Sequence, residues 1–553
     1  MSLYGNFSRI VNKYPDSHAI EMFDGRIIYY REFKEDIDSF INYITSELGD
    51  EKFIGIIDDQ NYLAVVGIVA TILAGKNIIL VDPRIEQKRI SDLLSKYTRF
   101  YFSELYKNID NLELIEYVKA KNFRKRLNKK KLSDDGGYVI FTSGSTGEPK
   151  AVSVSSHSLE KLAKVLIKKY YVNHTSNVVQ FAYYGFDSSL AEIWMALLSG
   201  STLLIPGKEL RQNAYKCLQN LSRYENNIIT LPPSFAKALD DRVLSHVNTL
   251  VLAGEECPAT LANRCRKIVK HLINAYGPTE SIICATTYEI KEEQKDRVPI
   301  GFPVDGVKIR LSKNNELLIN SKQLFDGYLG SKTDNCIKIH GKRWFNSGDL
   351  GKIRDDGTIE YLGRRDNQVK INGQRIELEG LEIELRKIFN VEDLFVVFKR
   401  HEEDPELVIV LASKSDYERI RKTNVLSTYK MLPWRLVLVD DIPLSLNGKI
   451  DRKKLASMIR SNANVDFKSS DFSTISNKKL LKLWQEVFGA LPKSENTGFF
   501  ASGGDSLKAL KLVKALNDDF GASVDLIDII RDDYSLADLA KLVEKKNEKW
   551  RIE

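Results

Sequence analysis

The sequence predicts an α/β multidomain chain: large N-terminal α/β subdomains, then a small β-subdomain, an α+β segment and a C-terminal helical bundle. Three observations carry this. Near the N-terminus, short β-rich runs flank an apolar helical stretch, the βαβ rhythm of a parallel sheet covered by helices. From about Val298 to Tyr361 the elements become short and β-rich, with turns such as Arg354-Asp355-Asp356-Gly357. Ser461 to Ser476, rich in Ser, Asn, Asp and Lys and without periodicity, sets off a final run of helical patterns.

In chain order, Phe53 to Asp58 and Asn77 to Val81 read as strands, with a helix from Tyr62 to Ala74 between them. A second βαβ series is expected from about Tyr138 to Ala285. Its strands are Tyr138 to Phe141, Thr202 to Ile205, Ile228 to Leu231 and Thr249 to Leu252. The α+β segment, residues 366 to about 460, has strands at Leu394 to Phe398, Leu407 to Leu411 and Arg435 to Val439. After the 461–476 linker, helices are expected at Lys478 to Phe488, Ser506 to Phe520 and about Leu536 to Lys546.

The 553 residues suggest three or four domains at about 150 residues each. With 43% hydrophobic and 28% charged residues, the chain has apolar material for several cores, which excludes wholesale disorder. No apolar run reaches the ~18 residues of a membrane span, and the start MSLYGNFSRIVNKYP has no secretory pattern, so a cytoplasmic protein is expected. Cys217, Cys257, Cys265, Cys284 and Cys336 are scattered and odd in number, which speaks against a disulfide framework or a zinc site. Net charge is +7 over the whole length, a mild bias. The basic run Lys119 to Lys131 reads as a solvated surface, because no nucleic-acid-binding motif accompanies it.

Phe141 to Lys150 reads FTSGSTGEPK. Gly144 and Gly147 let the backbone turn and present N–H groups. Thr142, Ser143, Ser145 and Thr146 supply hydroxyls, and Lys150 supplies charge. Together these suit a polyphosphate, although the same residues taken alone also make a plain Ser/Gly surface loop. The Walker pattern GxxxxGK[ST] is absent.

FTSGSTGEPK closely resembles the phosphate-binding loop of the adenylate-forming superfamily, which includes acyl-CoA ligases, luciferases and the adenylation domains of non-ribosomal peptide synthetases. Further matches follow in that family's order: ILAGKNIILVDP (72–83), FDSS (186–189), NAYGPTE (274–280), NSGDL (346–350), LGRRDNQVKINGQRIEL (362–378) and NGKIDRKKL (447–455). Two departures matter: Ala151 stands where many relatives have Gly, and Ser156 where they have His, with His157 one residue late. The glycine-rich motif before Gly327-Tyr328-Leu329 is also degenerate, reading NELLINSKQLFDGYLG, and none of these removes a group assigned to chemistry.

The resemblance implies ATP-dependent activation of a carboxylate, with pyrophosphate released. It puts Thr142, Ser143, Gly144, Ser145, Thr146, Gly147 and Lys150 near the β- and γ-phosphates. Glu280 would hold Mg²⁺, Thr279 would bond the α-phosphate, Tyr276 would stack on adenine, and Asp349 and Arg364 would meet the ribose. Lys449 would bridge substrate carboxylate and α-phosphate. Asp366 would be the hinge of a mobile C-terminal subdomain.

Asp187, matched to the family's FDxS, would pair with a substrate α-ammonium and so select amino acids. Asp187, Ser188, Ala191, Thr230, Val251, Ala253, Ala275, Ile283 and Cys284 would line the side-chain pocket. Small walls leave room for a bulky neutral side chain, so an aromatic amino acid is expected, Phe or Tyr before Trp.

FFASGGDSL (499–507) before an amphipathic helix resembles a peptidyl carrier domain, which implies 4′-phosphopantetheine on Ser506. The resemblance therefore divides the chain into an adenylation core (1–365), a mobile subdomain (366–460), a linker (461–476) and a carrier (477–553). It implies ATP, Mg²⁺ and phosphopantetheine as cofactors. Partners would be an amino acid, a phosphopantetheinyl transferase and downstream synthetase or tailoring enzymes, with room for an adenylation helper protein and no nucleic acid or membrane. No HHxxxDG condensation motif and no GxSxG elbow is present. Two other readings stand beside this one: an aryl- or acyl-acid ligase with a fused carrier, and a catalytically silent carrier or docking protein.

Overall fold

A computed structural model describes residues 2–123, 135–142, 149–207, 218–331, 334–365, 368–371, 374–391, 393–400, 405–421, 434–439, 442–443, 455–456, 459, 478–488, 492, 495–496, 498–499, 502, 506–520, 524, 529 and 534–549. These fall into two compact units, one up to residue 365 and one from 368 on.

Two large sheets organise the first unit. The seven-stranded one runs, edge to edge, Gly327–Tyr328, Lys150–Ser155, Gly137–Thr142, Asn77–Leu80, Phe53–Ile56, Phe100–Phe102 and Glu113–Ile115. Its five strands from Gly137–Thr142 onward are parallel neighbours. Such strands are buried on both faces and read as apolar runs, and Ile54, Ile56, Ile78 and Ile79 are fully buried. The helix Tyr62–Leu73 (YLAVVGIVATIL) is buried along almost its whole length. Asn61 starts it, its side chain accepting from the Ala64 N–H at 2.8 Å.

The nine-stranded sheet runs Phe302–Pro303, Thr286–Glu289, His271–Tyr276, Thr249–Ala253, Asn227–Leu231, Asn177–Val179, Thr202–Ile205, His18–Met22 and Ile27–Tyr29. One expectation is corrected here. The strand at Tyr138 does not open the second series; it joins the first sheet beside Asn77–Leu80 and turns back antiparallel into Lys150–Ser155. Apolar runs announce strands, but they do not say which sheet a strand enters. A smaller sheet orders Val307–Leu311, Glu316–Ser321, Lys342–Ile353 and Cys336–Ile339, with Ile359–Arg364 also paired to Lys342–Ile353.

In the second unit a hairpin, Gln368–Ile371 with Gln374–Glu377, leads into the helix Leu378–Phe389. A three-stranded sheet follows, Leu394–Arg400, Pro405–Leu411 and Trp434–Leu438. Alternation divides its core: Leu394 and Val396 pack with Leu385 and Phe389, while Phe395 and Val397 pack with Leu455 and Ile459. The C-terminal helices are Lys478–Phe488, Ser506–Phe520 and Leu536–Lys549. Their buried residues include Leu480, Trp484, Leu512, Leu516 and Leu539. No helix among the described residues is long and apolar enough to cross a membrane.

Candidate active site

Strand pairing builds the phosphate end. Thr142 and Lys150 face each other across the antiparallel pair, so the two ends of the FTSGSTGEPK motif are neighbours. On the far side of Lys150–Ser155 lies the two-residue strand Gly327–Tyr328. The Lys150 ammonium sits 5.5 Å from the Tyr328 ring centroid. The Tyr328 hydroxyl donates to Glu280 Oε1 at 2.8 Å, and Glu280 is 1% exposed. Lys150, Tyr328 and Glu280 thus form one chain of contacts. Tyr328 was not among the expected site residues; its only signal was the Gly327-Tyr328-Leu329 triplet.

Four residues before Glu280, Tyr276 ends the strand His271–Tyr276. Its hydroxyl donates to Asp349 Oδ2 at 2.5 Å, and Arg364 donates to Asp349 Oδ1 at 2.7 Å. Register explains the second contact, because Asp349 and Arg364 are paired across neighbouring strands. Arg364 also donates to the Ser347 carbonyl, and the Ser347 hydroxyl accepts from the Asp349 N–H. Burial, with the Asp349 charge beside it, holds the Tyr276 phenol well above its usual range, so it stays a donor at neutral pH. Asp349 still has lone pairs for a ligand, since a carboxylate offers about four acceptor sites. The Tyr361 ring lies 6.1 Å from that of Tyr276. Thr279, half-buried, opens the short turn Thr279–Ser281.

The acyl-pocket residues come from five segments, one helix, three strands and a turn. Asp187 is the cap of the helix Ser188–Ser199, and Ser188 and Ala191 follow on its first turn. Thr230 is in register with Val251, and Ala253 with Ala275. Because Val251 and Ala253 alternate on one strand, all four point to the same face of the nine-stranded sheet. Ala191, Val251, Ala275 and Cys284 share one buried core. Burial, and then the charges of Asp187 and Asp326, raise the Tyr138 phenol well above its usual range.

Ile283 and Cys284 form the last wall by an unusual backbone path. Ile282 and Ile283 both have φ of 61°, a left-handed conformation that β-branched residues rarely adopt. The Cys284 N–H bonds the Ile282 carbonyl at 2.5 Å, closing a three-residue turn around Ile283. The turn packs against Gly277: a Cβ there would lie 2.5 Å from the Ile283 oxygen. Cys284 accepts from the Tyr170 hydroxyl at 3.9 Å and donates to the Thr286 carbonyl at 3.4 Å. Burial pushes its thiol up to about 12. It is an inert wall, and the buried Cys257 and Cys265, elsewhere in the fold, are unreactive for the same reason.

Ser143, Gly144, Ser145, Thr146, Gly147, Asp366, Lys449 and Cys217 lie outside the described residues. Ser506 is the first residue of a 15-residue helix. No cluster of three or more metal-ligating side chains occurs among the described residues. Glu280 is an oxygen donor, the type a hard cation such as Mg²⁺ prefers.

Comparison with known proteins now bears on this geometry. Residues 7–329 match the AMP-binding enzyme family, and residues 478–543 match the phosphopantetheine attachment site family. Gramicidin S synthase 1 of Brevibacillus brevis is 32% identical over 92% of this chain and 49% of its own length. Bacitracin synthase 3 of Bacillus licheniformis is 30% identical over 97% of this chain and 9% of its own. The chain therefore spans about half the length of the first relative and far less of the second. Among solved structures, holo-PA1221, an NRPS protein containing adenylation and PCP domains, superposes with TM-score 0.81 at 20% identity, covering 98% of this chain and 96% of that one. The Vibrio cholerae adenylation domain AlmE, in complex with glycyl-adenosine-5′-phosphate, gives TM-score 0.68 at 21% identity over 82% and 97%. At such identities the likeness is one of fold.

Proposed function

The chain belongs to the AMP-binding enzyme family, with a phosphopantetheine attachment site behind it in sequence, and on that premise we propose that it activates an amino acid and loads it onto its own carrier segment. Enzymes of this family use ATP with Mg²⁺, and the attachment-site domain carries phosphopantetheine covalently. In this reading residues 1–365 are the adenylation core, 366–460 the mobile subdomain, 461–476 the linker and 477–553 the carrier.

The observation that carries the reading is the pair of linked clusters, Tyr276–Asp349–Arg364 and Lys150–Tyr328–Glu280, set four residues apart along one segment. Asp349 and Arg364 would take the ribose end of ATP, and Lys150 with the 143–148 loop the phosphates. Glu280 would hold Mg²⁺, which supplies positive charge to the β- and γ-phosphates. A substrate carboxylate oxygen attacks the α-phosphorus. The new P–O bond forms as the bond to the bridging oxygen breaks, and pyrophosphate leaves with that electron pair. Charge accumulates between two anions, so Lys449 between them would contribute most to catalysis. Asp366 would be the hinge that brings Lys449 in and out.

Asp187 would receive the substrate ammonium. Its support is its position at the head of a helix whose Ala191 shares a core with Val251, Ala275 and Cys284. Small walls of Ala, Val and Thr would leave room for a bulky neutral side chain, so an aromatic one is favoured, Phe or Tyr before Trp. Ser506, opening its helix, would carry phosphopantetheine, since a helix N-terminus favours a phosphodiester. Bound there, the group supplies the thiol that receives the activated acyl chain. Downstream synthetase or tailoring enzymes would then use the product.

The test is amino-acid-dependent ATP–pyrophosphate exchange across the proteinogenic amino acids plus benzoate and phenylacetate. Exchange peaking with Phe, Tyr or Trp is expected. Exchange only with an amine-free acid would overturn the role of Asp187, and no exchange would leave a silent carrier or an adenylation domain lacking its helper protein.

A further inference from the structure

We propose that the outer face of the small β-sheet is a docking cleft for an extended, carboxylate-rich segment of a partner protein. Two adjoining hollows of about 490 and 630 Å³ lie on this sheet and share Lys308 and Lys342. Arg310 lines the first hollow, and Lys161, Lys322 and Arg343 line the second. Neither hollow has an Asp or Glu in its lining.

Most of this charge is uncommitted. Arg343 is held by Asp334 at 2.8 Å. Lys161, Lys308, Lys322 and Lys342 have no ion-pair partner among the described residues. Trp344 lines the first hollow under the Arg310 guanidinium, 5.2 Å from its ring centroid. The Trp344 indole N–H is buried and meets no acceptor among the described residues. The cleft thus offers a row of cations over a buried indole, and a ligand rich in acceptors completes the charge.

Spacing selects the class of ligand. Lys308 and Arg310 are alternate residues of one strand, about 6.8 Å apart on the same side. That is also the repeat of alternate side chains in an extended peptide. The strand Val307–Leu311 has no neighbour on its other edge among the described strands, so a segment can lie along it. A small anion needs donors converging on a point, whereas these cations are strung along a cleft.

The test is fluorescence anisotropy with a labelled hexaglutamate peptide at low salt. The wild-type chain is compared with Lys308→Glu/Lys342→Glu and with the milder Lys308→Gln/Lys342→Gln. We expect saturable binding that weakens with salt and is at least about tenfold weaker after charge reversal, with amino-acid-dependent exchange unchanged. Equal affinity in both variants and wild type would overturn the proposal. So would pyrophosphate competing as well as the peptide, which would make this a small-anion site. Binding to phosphatidylserine vesicles with the same dependence on Lys308 and Lys342 would also overturn it, in favour of a membrane surface.

Discussion

Replacing Arg364 with alanine strands a carboxylate. Asp349 is fully buried, the Arg364 side chain is 5% exposed, and they meet at 2.7 Å. Removing one partner of a buried pair costs about 3–5 kcal/mol, because the remaining charge is left uncompensated. The unit that holds the pair has roughly 355 residues, which at about 2.1 cal/mol/K each gives an unfolding entropy near 0.75 kcal/mol/K. The melting temperature should therefore fall by about 4–7 °C, measured by differential scanning calorimetry. Adding Asp349→Asn to that variant should restore part of the loss, since it removes the stranded charge rather than a further contact. A fall of less than about 1 °C for Arg364→Ala would refute the reasoning. The pair would then behave as an exposed one, worth under about 1 kcal/mol.

Other outcomes follow from the same geometry. Tyr328→Phe removes the hydroxyl that Glu280 accepts; exchange should fall about tenfold, the size of a lost hydrogen bond to a charged group, with a higher Mg²⁺ requirement in a metal titration. Lys449→Ala should lower exchange by at least about a hundredfold while nucleotide binding, followed by calorimetry, persists. Asp187→Ala should lose exchange with the amino acid and keep more of it with the α-deaminated analogue; equal loss with both would remove the ammonium role. Burial raises the Asp58 carboxyl to about 7, against a lowering by the hydrogen bond from the Glu104 N–H. A carboxyl raised on folding stabilises the fold most below its unfolded value, and that contribution is lost as pH rises toward 7. Urea titrations should thus show wild type losing stability between pH 5 and 7, and Asp58→Asn losing less.

Strand and helix identity was legible wherever burial is two-sided. The runs at Phe53, Asn77, Thr202, Ile228 and Thr249 are all strands, because a parallel strand between helices must be apolar throughout. Among the described residues, three C-terminal helices begin at Lys478, Ser506 and Leu536, where their amphipathic patterns begin. Sheet membership was not legible. Tyr138 adds to the first sheet and His18–Met22 to the second, pairings set by distant strands. At the site, Asp349 and Arg364 stood in recognisable motifs. Tyr328 did not, since it meets Glu280 only after a two-residue strand docks on Lys150–Ser155. The paired left-handed isoleucines were equally silent, because nothing about isoleucine forecasts a positive φ.

Those isoleucines bear on how this enzyme could be retargeted. Each residue held in a disfavoured backbone well stores about 1–3 kcal/mol, so the 282–284 turn is a loaded spring against Gly277. Swapping side chains at 283 or 284 changes the surface of the wall and leaves the spring loaded. Glycine at 283 would relieve one of its two left-handed residues, trading a fixed contour for a more compliant one. Backbone freedom at residue 283 is therefore a variable of this wall in its own right, separate from side-chain volume.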